Sequence, residues 1–258
     1  GKPFENFVMN NTGVDATNNI TFTGALKVTG DFTLLSGDLR NDLSNIAINV
    51  AGNWTISSPA RFYPGASAAV TFDGTSGGPY NINNNTAGAG TNVFNFLTIN
   101  AASGVSYQFA SDLDVNDDLN VLSGILNLNS HSMTFGNANT DSIKISGGTM
   151  EIDENATVQM YTAAASGAGA DVVVLSGGTL AVVGATGSNA TITRFSGTGG
   201  TDRYSFMVQS GGTIQAQYAL FEYMDTNGIQ LADGAIMHPI DNFSNVNFDN
   251  GPSGGRYH

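Results

Sequence analysis

The sequence predicts an all-β chain wound as a parallel β-helix with coils of about 22 residues. Three observations carry this expectation. First, "VTGDFTL" (28–34) and "VAGNWTI" (50–56) read alike residue for residue and lie 22 apart. Second, "LKVTGDFTLLSGDL" (26–39) aligns without gaps to "LDVNDDLNVLSGIL" (113–126), an offset of 87 with seven of 14 positions identical. Third, the apolar runs are short and alternating ("LKV", "WTI", "VTF", "LTI", "SIKI"), with Gly, Asn and Asp between them, and no dozen residues keep amphipathic helical spacing.

Three short strands and three turns use roughly 20–24 residues, one coil of such a helix. Residues one coil apart then lie over one another at ~4.8 Å. Phe32 is expected on Trp54 and Leu34 on Ile56. Gly30 and Gly52 turn the same corner, and Asp31 and Asn53 bond to backbone there. The interior column includes Val28, Val50, Phe72, Leu119 and Val121, and the 22-residue step carries on to Phe94. Uniform division gives about 11–12 coils and a rod of roughly 50–55 Å, right-handed as parallel crossovers are.

The whole chain, 1–258, reads as one solenoid. A first large unit covers 4–93, and a second begins at 94–137, where "FNFLTINAASGV" (94–105) echoes "FENFVMNNTGV" (4–14). Over 138–258 the marker becomes "SGGT", at 146, 176 and 210, with "ADGAI" following at 232. The steps of 30 and 34 hold loop-like excess, "AAASGAGAD" and "SGTGGTDR". A pair of β-sandwiches is the rival fold; it predicts frequent turn signals but not gapless similarity at 22 and 87.

Composition narrows the function classes. Only 11% of residues are charged, against about 25% in a typical soluble domain. With 41% hydrophobic residues and 33 glycines, the chain pairs a real core with a surface of short uncharged polar groups. The net charge of −13, from 21 acidic and 8 basic residues, argues against nucleic acid and anionic membranes. Divalent cations remain open. There is no cysteine for disulfides or thiolate metal sites. No apolar run approaches the roughly 20 residues of a membrane span, so no membrane insertion is expected.

The segments "GNWTISSPARFYPGASAAVTFDG", "VFNFLTINAASGV" and "DLDVNDDLNVLSGILNLNSHSMTFGN" resemble repeats of very large secreted bacterial β-helix proteins of adhesin type. The likeness covers about residues 4–137. It implies an extracellular or cell-surface role as stalk, adhesin or surface-layer component, and it brings no catalytic residue with it.

Some parallel β-helices cleave pectin, a chemistry with recognisable motifs. "NTD" (139–141) matches one of the four motifs of polygalacturonases, but no Asp-Asp pair, "GHG" or "RIK" follows. Bases are scattered singly, although Arg194 and Arg203 flank one insertion, and His131 and His238 stand apart. Tyr63, Tyr80 and Tyr204 are expected in loops, where a ring can stack on sugar. The acidic residues are denser. Asp112 and Asp114 share one strand side, and Glu151 and Asp153 another nearby in coil order, a set of hard oxygen ligands suited to Ca²⁺. The alternative for these four is a solvated acidic face.

The leading expectation is a non-enzymatic structural or adhesive β-solenoid segment of a bacterial surface or filament-forming protein. The alternatives are a carbohydrate-binding or carbohydrate-active β-helix and, third, an ice- or mineral-binding face. Expected partners are neighbouring solenoid segments or copies of the chain end to end, and surface glycans. Neither "FENFVMN" nor "NVNFDNGPSGGRYH" reads as a cap, so head-to-tail stacking, or a section of a longer solenoid, is expected.

Overall fold

Strands of three to five residues, closed off by Gly, Asn and Asp, are too short to pair locally with much gain; stacking on the next coil satisfies their backbone instead. The computed structural model shows this arrangement over residues 2–12, 19–84, 91–138, 140–162, 170–195 and 203–251. The chain is a parallel β-helix. Face A has nine strands, from Leu26–Val28 to Met224–Leu231. Face B has ten, from Phe7–Asn10 to Ile236–Ser244. Face C consists of a three-stranded sheet (Asn19–Ile20, Asp38–Arg40, Arg61–Tyr63) and a six-stranded one running from Leu113–Val115 to Asn247–Asp249. The chain visits A, B and C in turn. A single helical turn, Asn41–Ser44, interrupts the pattern.

Among the described residues face B has ten strands, hence ten coils, against the 11–12 that uniform division gives. The rod is correspondingly about 45–50 Å long.

The predicted stacking is present. Phe32 pairs with Trp54 and Leu34 with Ile56. Val28, Val50 and Phe72 form one column on face A. Phe32, Trp54, Leu119 and Val121 are all fully buried. Phe7, Phe32 and Trp54 stack face to face, the last two with centroids 4.1 Å apart and planes 7° from parallel. Trp54 then meets Phe62, Phe72 and Phe94 at 5.2, 6.2 and 5.5 Å.

The column does not continue to Phe94. Phe72 pairs with Ile99, a step of 27, while Phe94 bridges Val115 on face C. The longer connection here, part of which lies outside the described residues, carries the chain past the 22-residue position. Phe94 therefore arrives one face early. Residues 92–94 also join the two sheets of face C. Asn92 donates its N–H to the Phe62 carbonyl at 2.8 Å, and Phe94 donates to that of Asp114 at 2.9 Å.

The same connection explains an unexpected feature of the 87-residue repeat. Leu26–Val28 lies on face A, but its counterpart Leu113–Val115 lies on face C. Phe32–Ser36 lies on B and Leu119–Ser123 on A. The second unit is the first, turned back by one face. Its fine structure is retained. Phe4 N–H reaches Lys27 O at 2.8 Å and Phe94 N–H reaches Asp114 O at 2.9 Å; Phe7 N–H reaches Asp31 O at 2.9 Å and Leu97 N–H reaches Asp118 O at 3.0 Å. Both units have the same register shift, Met9/Asn10 against Leu34/Ser36 and Ile99/Asn100 against Val121/Ser123. It turns Leu35 and Leu122 outward and ends at Gly37 and Gly124, with φ of 85° and 80°. The repeat is thus a local fold that fits any face.

The corner at Gly30 and Gly52 is built by a side-chain ladder. Asn6 Oδ1 accepts the Asp31 N–H, Asp31 Oδ1 that of Asn53, and Asn53 Oδ1 that of Asn81, each at 2.8 Å. Gln108 Nε2 adds a rung by donating to Asn81 Oδ1 at 3.0 Å. Glycine is needed because of this ladder rather than because of φ. A Cβ on Gly52 would lie 2.4 Å from Asp31 Oδ1 and 2.6 Å from the Gly30 carbonyl carbon.

Candidate functional site

The four carboxylates expected to share a cation are dispersed. Asp112 Oδ1 accepts the Ser132 N–H at 2.9 Å and lies 3.5 Å from His131 Nδ1. Asp114 sits on face C beside Thr134. Glu151 sits on face B, where it accepts a bond from Asn127 Nδ2 at 2.7 Å. Asp153 Oδ1 accepts the Ser130 N–H at 2.8 Å. Among the described residues no group of three or more His, Asp or Glu side chains is disposed to hold a metal ion. The reason is the coil itself. Each run of alternating residues occupies one face, and the turn after it sends the next run to another. Asp112 and Asp153 therefore each accept a backbone amide of a neighbouring coil, 20 and 23 residues away in sequence.

A tighter acidic group forms from Asp117, Asp118 and Asp141. Asp118 Oδ1 accepts both the N–H and the hydroxyl of Ser142 at 2.9 Å. Asp141, the acid of "NTD", is buried and accepts the N–H groups of Asn137 and Ala138 at 2.7 Å each. It caps a turn; Asn139 of the tripeptide lies outside the described residues. Asp117 has its carboxyl pushed up, first by desolvation and then by the charges of Asp141 and Asp118. A folded-state value above the unfolded one means that the native state holds the proton more tightly, so stability falls as pH rises through the carboxylate range. Asp117→Asn is accordingly expected to raise the melting temperature modestly near neutral pH. The gain should vanish by about pH 3, where both states are protonated. Parallel melting curves with no difference at either pH would refute the assignment.

Among the described residues several bases are engaged one at a time by acids. Lys27 pairs with Asp73 at 3.2 Å, Arg40 with Asp42 at 2.6 Å, and Lys144 approaches Asp118 at 4.0 Å. Arg194 and Arg203 do converge, contrary to the scattered reading, with guanidinium carbons 3.9 and 5.5 Å from the centre of the Tyr223 ring. The three tyrosines expected in loops are all in strands: Tyr63 on face C, Tyr80 on face B and Tyr204 on face A. Tyr204 is fully buried, and its hydroxyl, donating to Ile192 O at 3.3 Å, is pushed far up by desolvation.

Two concavities are lined by described residues. A polar groove of about 340 Å³ runs between faces B and C, lined by Ser57, Ser58, Asn83, Asn84, Ser111 and Asp112. Its described lining holds one carboxylate and neither a base nor a ring. The second, about 540 Å³, is the open end of the core at the last coil, lined by Ile229, Leu231, Met237, Phe243 and Phe248. At the opposite end Phe4 and Val8 are 46% and 63% exposed, and Phe7 is half-buried. Phe7–Asn10 and Asn247–Asp249 are the outermost strands of their sheets. The apolar pattern of these terminal runs was legible. That Leu231, Met237, Phe243 and Phe248 meet in one hollow was not, since they come from three faces.

No family model matches the chain, and no curated protein and no solved structure is significantly similar to it.

Proposed function

We propose that the chain is a non-enzymatic β-solenoid rod, a structural or adhesive segment of a bacterial extracellular or cell-surface protein. The observation that carries this reading is the outer surface. Its corners are ladders of short polar side chains bonded coil to coil, as in the Asn6–Asp31–Asn53–Asn81 series. A groove specialised for cleavage needs an acid, a base and positioning groups around one reacting atom. Among its described lining residues the polar groove supplies Asp112 alone of such groups, already engaged by the Ser132 amide. The extracellular and adhesin-type placement rests on the resemblance of the repeats.

A carbohydrate-binding role is the second reading, supported by the hydroxyl and amide lining of that groove. The test is incubation of the chain with neutral and uronate-containing polysaccharides, with reducing ends, unsaturated uronate absorbance and retention on immobilised glycans measured together. The rod reading expects no turnover. Turnover abolished by Asp112→Asn would overturn it, and retention lost on Asn83→Ala without turnover would favour the second reading.

A further inference from the structure

We infer that the last strand of one copy, Asn247–Asp249, adds in parallel to the outer edge of the first strand, Phe7–Asn10, of a second copy. This rests on the rod reading and names the contact it uses.

The chain contains its own template for the joint. The strand Phe96–Asn100 is the counterpart of Phe7–Asn10, with the same bonds to the coil that follows. Its upstream edge is covered by Ala69–Phe72, in the register Val70 on Leu97, Thr71 on Thr98 and Phe72 on Ile99. The equivalent edge of Phe7–Asn10 has no strand on it among the described residues. Because alternate residues of a parallel strand bond to opposite sides, and Phe7 bonds to Asp31, the N–H and C=O of Val8 point to that edge.

The occupant is identified by sequence. "VTFDGTSGGPY" (70–80) is the covering segment, and "VNFDNGPSGGRY" (246–257) matches it at eight of 11 aligned positions with one inserted Asn. Val246, Asn247 and Phe248 thus stand where Val70, Thr71 and Phe72 stand in the template. They would face Phe7, Val8 and Met9. The apolar surfaces fit the same joint. Phe248, stacked on Phe221 at 5.6 Å, borders the open hollow at the tail, while at the head Phe4 is exposed and Phe7 half-buried.

The rotation is also consistent. Leu26 starts its unit on face A and Leu113 on face C. Docking a face-B strand on face C places the second copy's Leu26 over face B of the first. The progression A, C, B continues at one face per unit. The contact is heterologous, so it repeats along a filament.

The test is light scattering and negative-stain electron microscopy of the 258-residue chain over a concentration series. Wild type is expected to form linear assemblies whose mass grows with concentration. Val8→Pro removes the outward amide without touching a bond to the next coil, and should weaken association at least tenfold with an unchanged melting curve. Val8→Lys with Asn247→Lys should likewise keep the chain monomeric. Val8→Glu with Asn247→Lys, opposite charges in the expected register, should restore assembly. A wild type that stays monomeric up to about 1 mM overturns the joint. So does a Val8→Pro chain that assembles like wild type, or a Glu/Lys pair no better than Lys/Lys. None of these outcomes bears on the rod reading, which stands or falls with the polysaccharide assays.

Discussion

Replacing Trp54 with alanine is expected to cost about 3–5 kcal/mol of unfolding free energy, the range for removing a large buried ring. The residue is fully buried and in contact with four other aromatic rings, Phe32, Phe62, Phe72 and Phe94. It thereby links all three faces and three successive coils. Such a hollow cannot close by shifting one strand, because each strand is hydrogen-bonded to the coils above and below. Solenoid stability is close to a sum of repeat and neighbour terms, so the damage should be local. Urea unfolding gives the total, and hydrogen exchange should show lost protection between 26 and 109 with the later coils little changed. A loss under about 1 kcal/mol, or uniform loss along the rod, would contradict this account.

The second large effect is expected at Asn84. Trp54 Nε1 donates to Asn84 Oδ1 at 2.5 Å, and Asn84 Nδ2 donates to the Asn92 carbonyl at 2.9 Å. Asn92 Oδ1 in turn accepts the Phe62 N–H at 2.7 Å. Asn84 and Asn92 are both buried. Among the described residues face C has no regular strand between Arg61–Tyr63 and Leu113–Val115, and side-chain amides add to the backbone bonds of residues 92–94 there. Asn84→Leu would strand the indole N–H of Trp54, at about 1–3 kcal/mol. Trp54→Phe in the Asn84→Leu background removes the orphaned donor. The double variant should therefore be less destabilised than the two single losses added together. Additivity in that double-mutant cycle would mean that the bond contributes nothing.

Much of the fold was legible because a solenoid turns spatial neighbours into sequence neighbours at a fixed interval. Phe32 and Trp54, Leu34 and Ile56, Val28 and Val50 could be paired by counting. Asp31 and Asn53 were legible too, as short polar side chains beside glycine at one corner. The pairing changes where the interval changes. Phe94 kept the 22-residue step yet lies on face C, because the longer connection before it offsets the count by a face.

The carboxylates failed for a related reason. Spacing places Asp112 with Asp114, and Glu151 with Asp153, but it does not report the turn between faces B and C. The amides that bond Asp112 and Asp153 come from neighbouring coils, Ser132 at the start of a face-C strand and Ser130 in the turn before it, and they satisfy the acids singly. Tyr204, surrounded by Gly, Thr and Asp in sequence, reads as a loop residue; only its stacking on the neighbouring coil buries it.

By itself the sequence determined the parallel β-helix, its inward columns and its polar corners, since these depend on period and residue type alone. The tertiary structure decided which face each unit occupies and which side chains meet. Face assignment depends on the summed length of every preceding connection, so one longer connection turns all that follows. Contacts across the interior join residues from different faces, such as Trp54 with Asn84 and Asn92, and no local pattern encodes them.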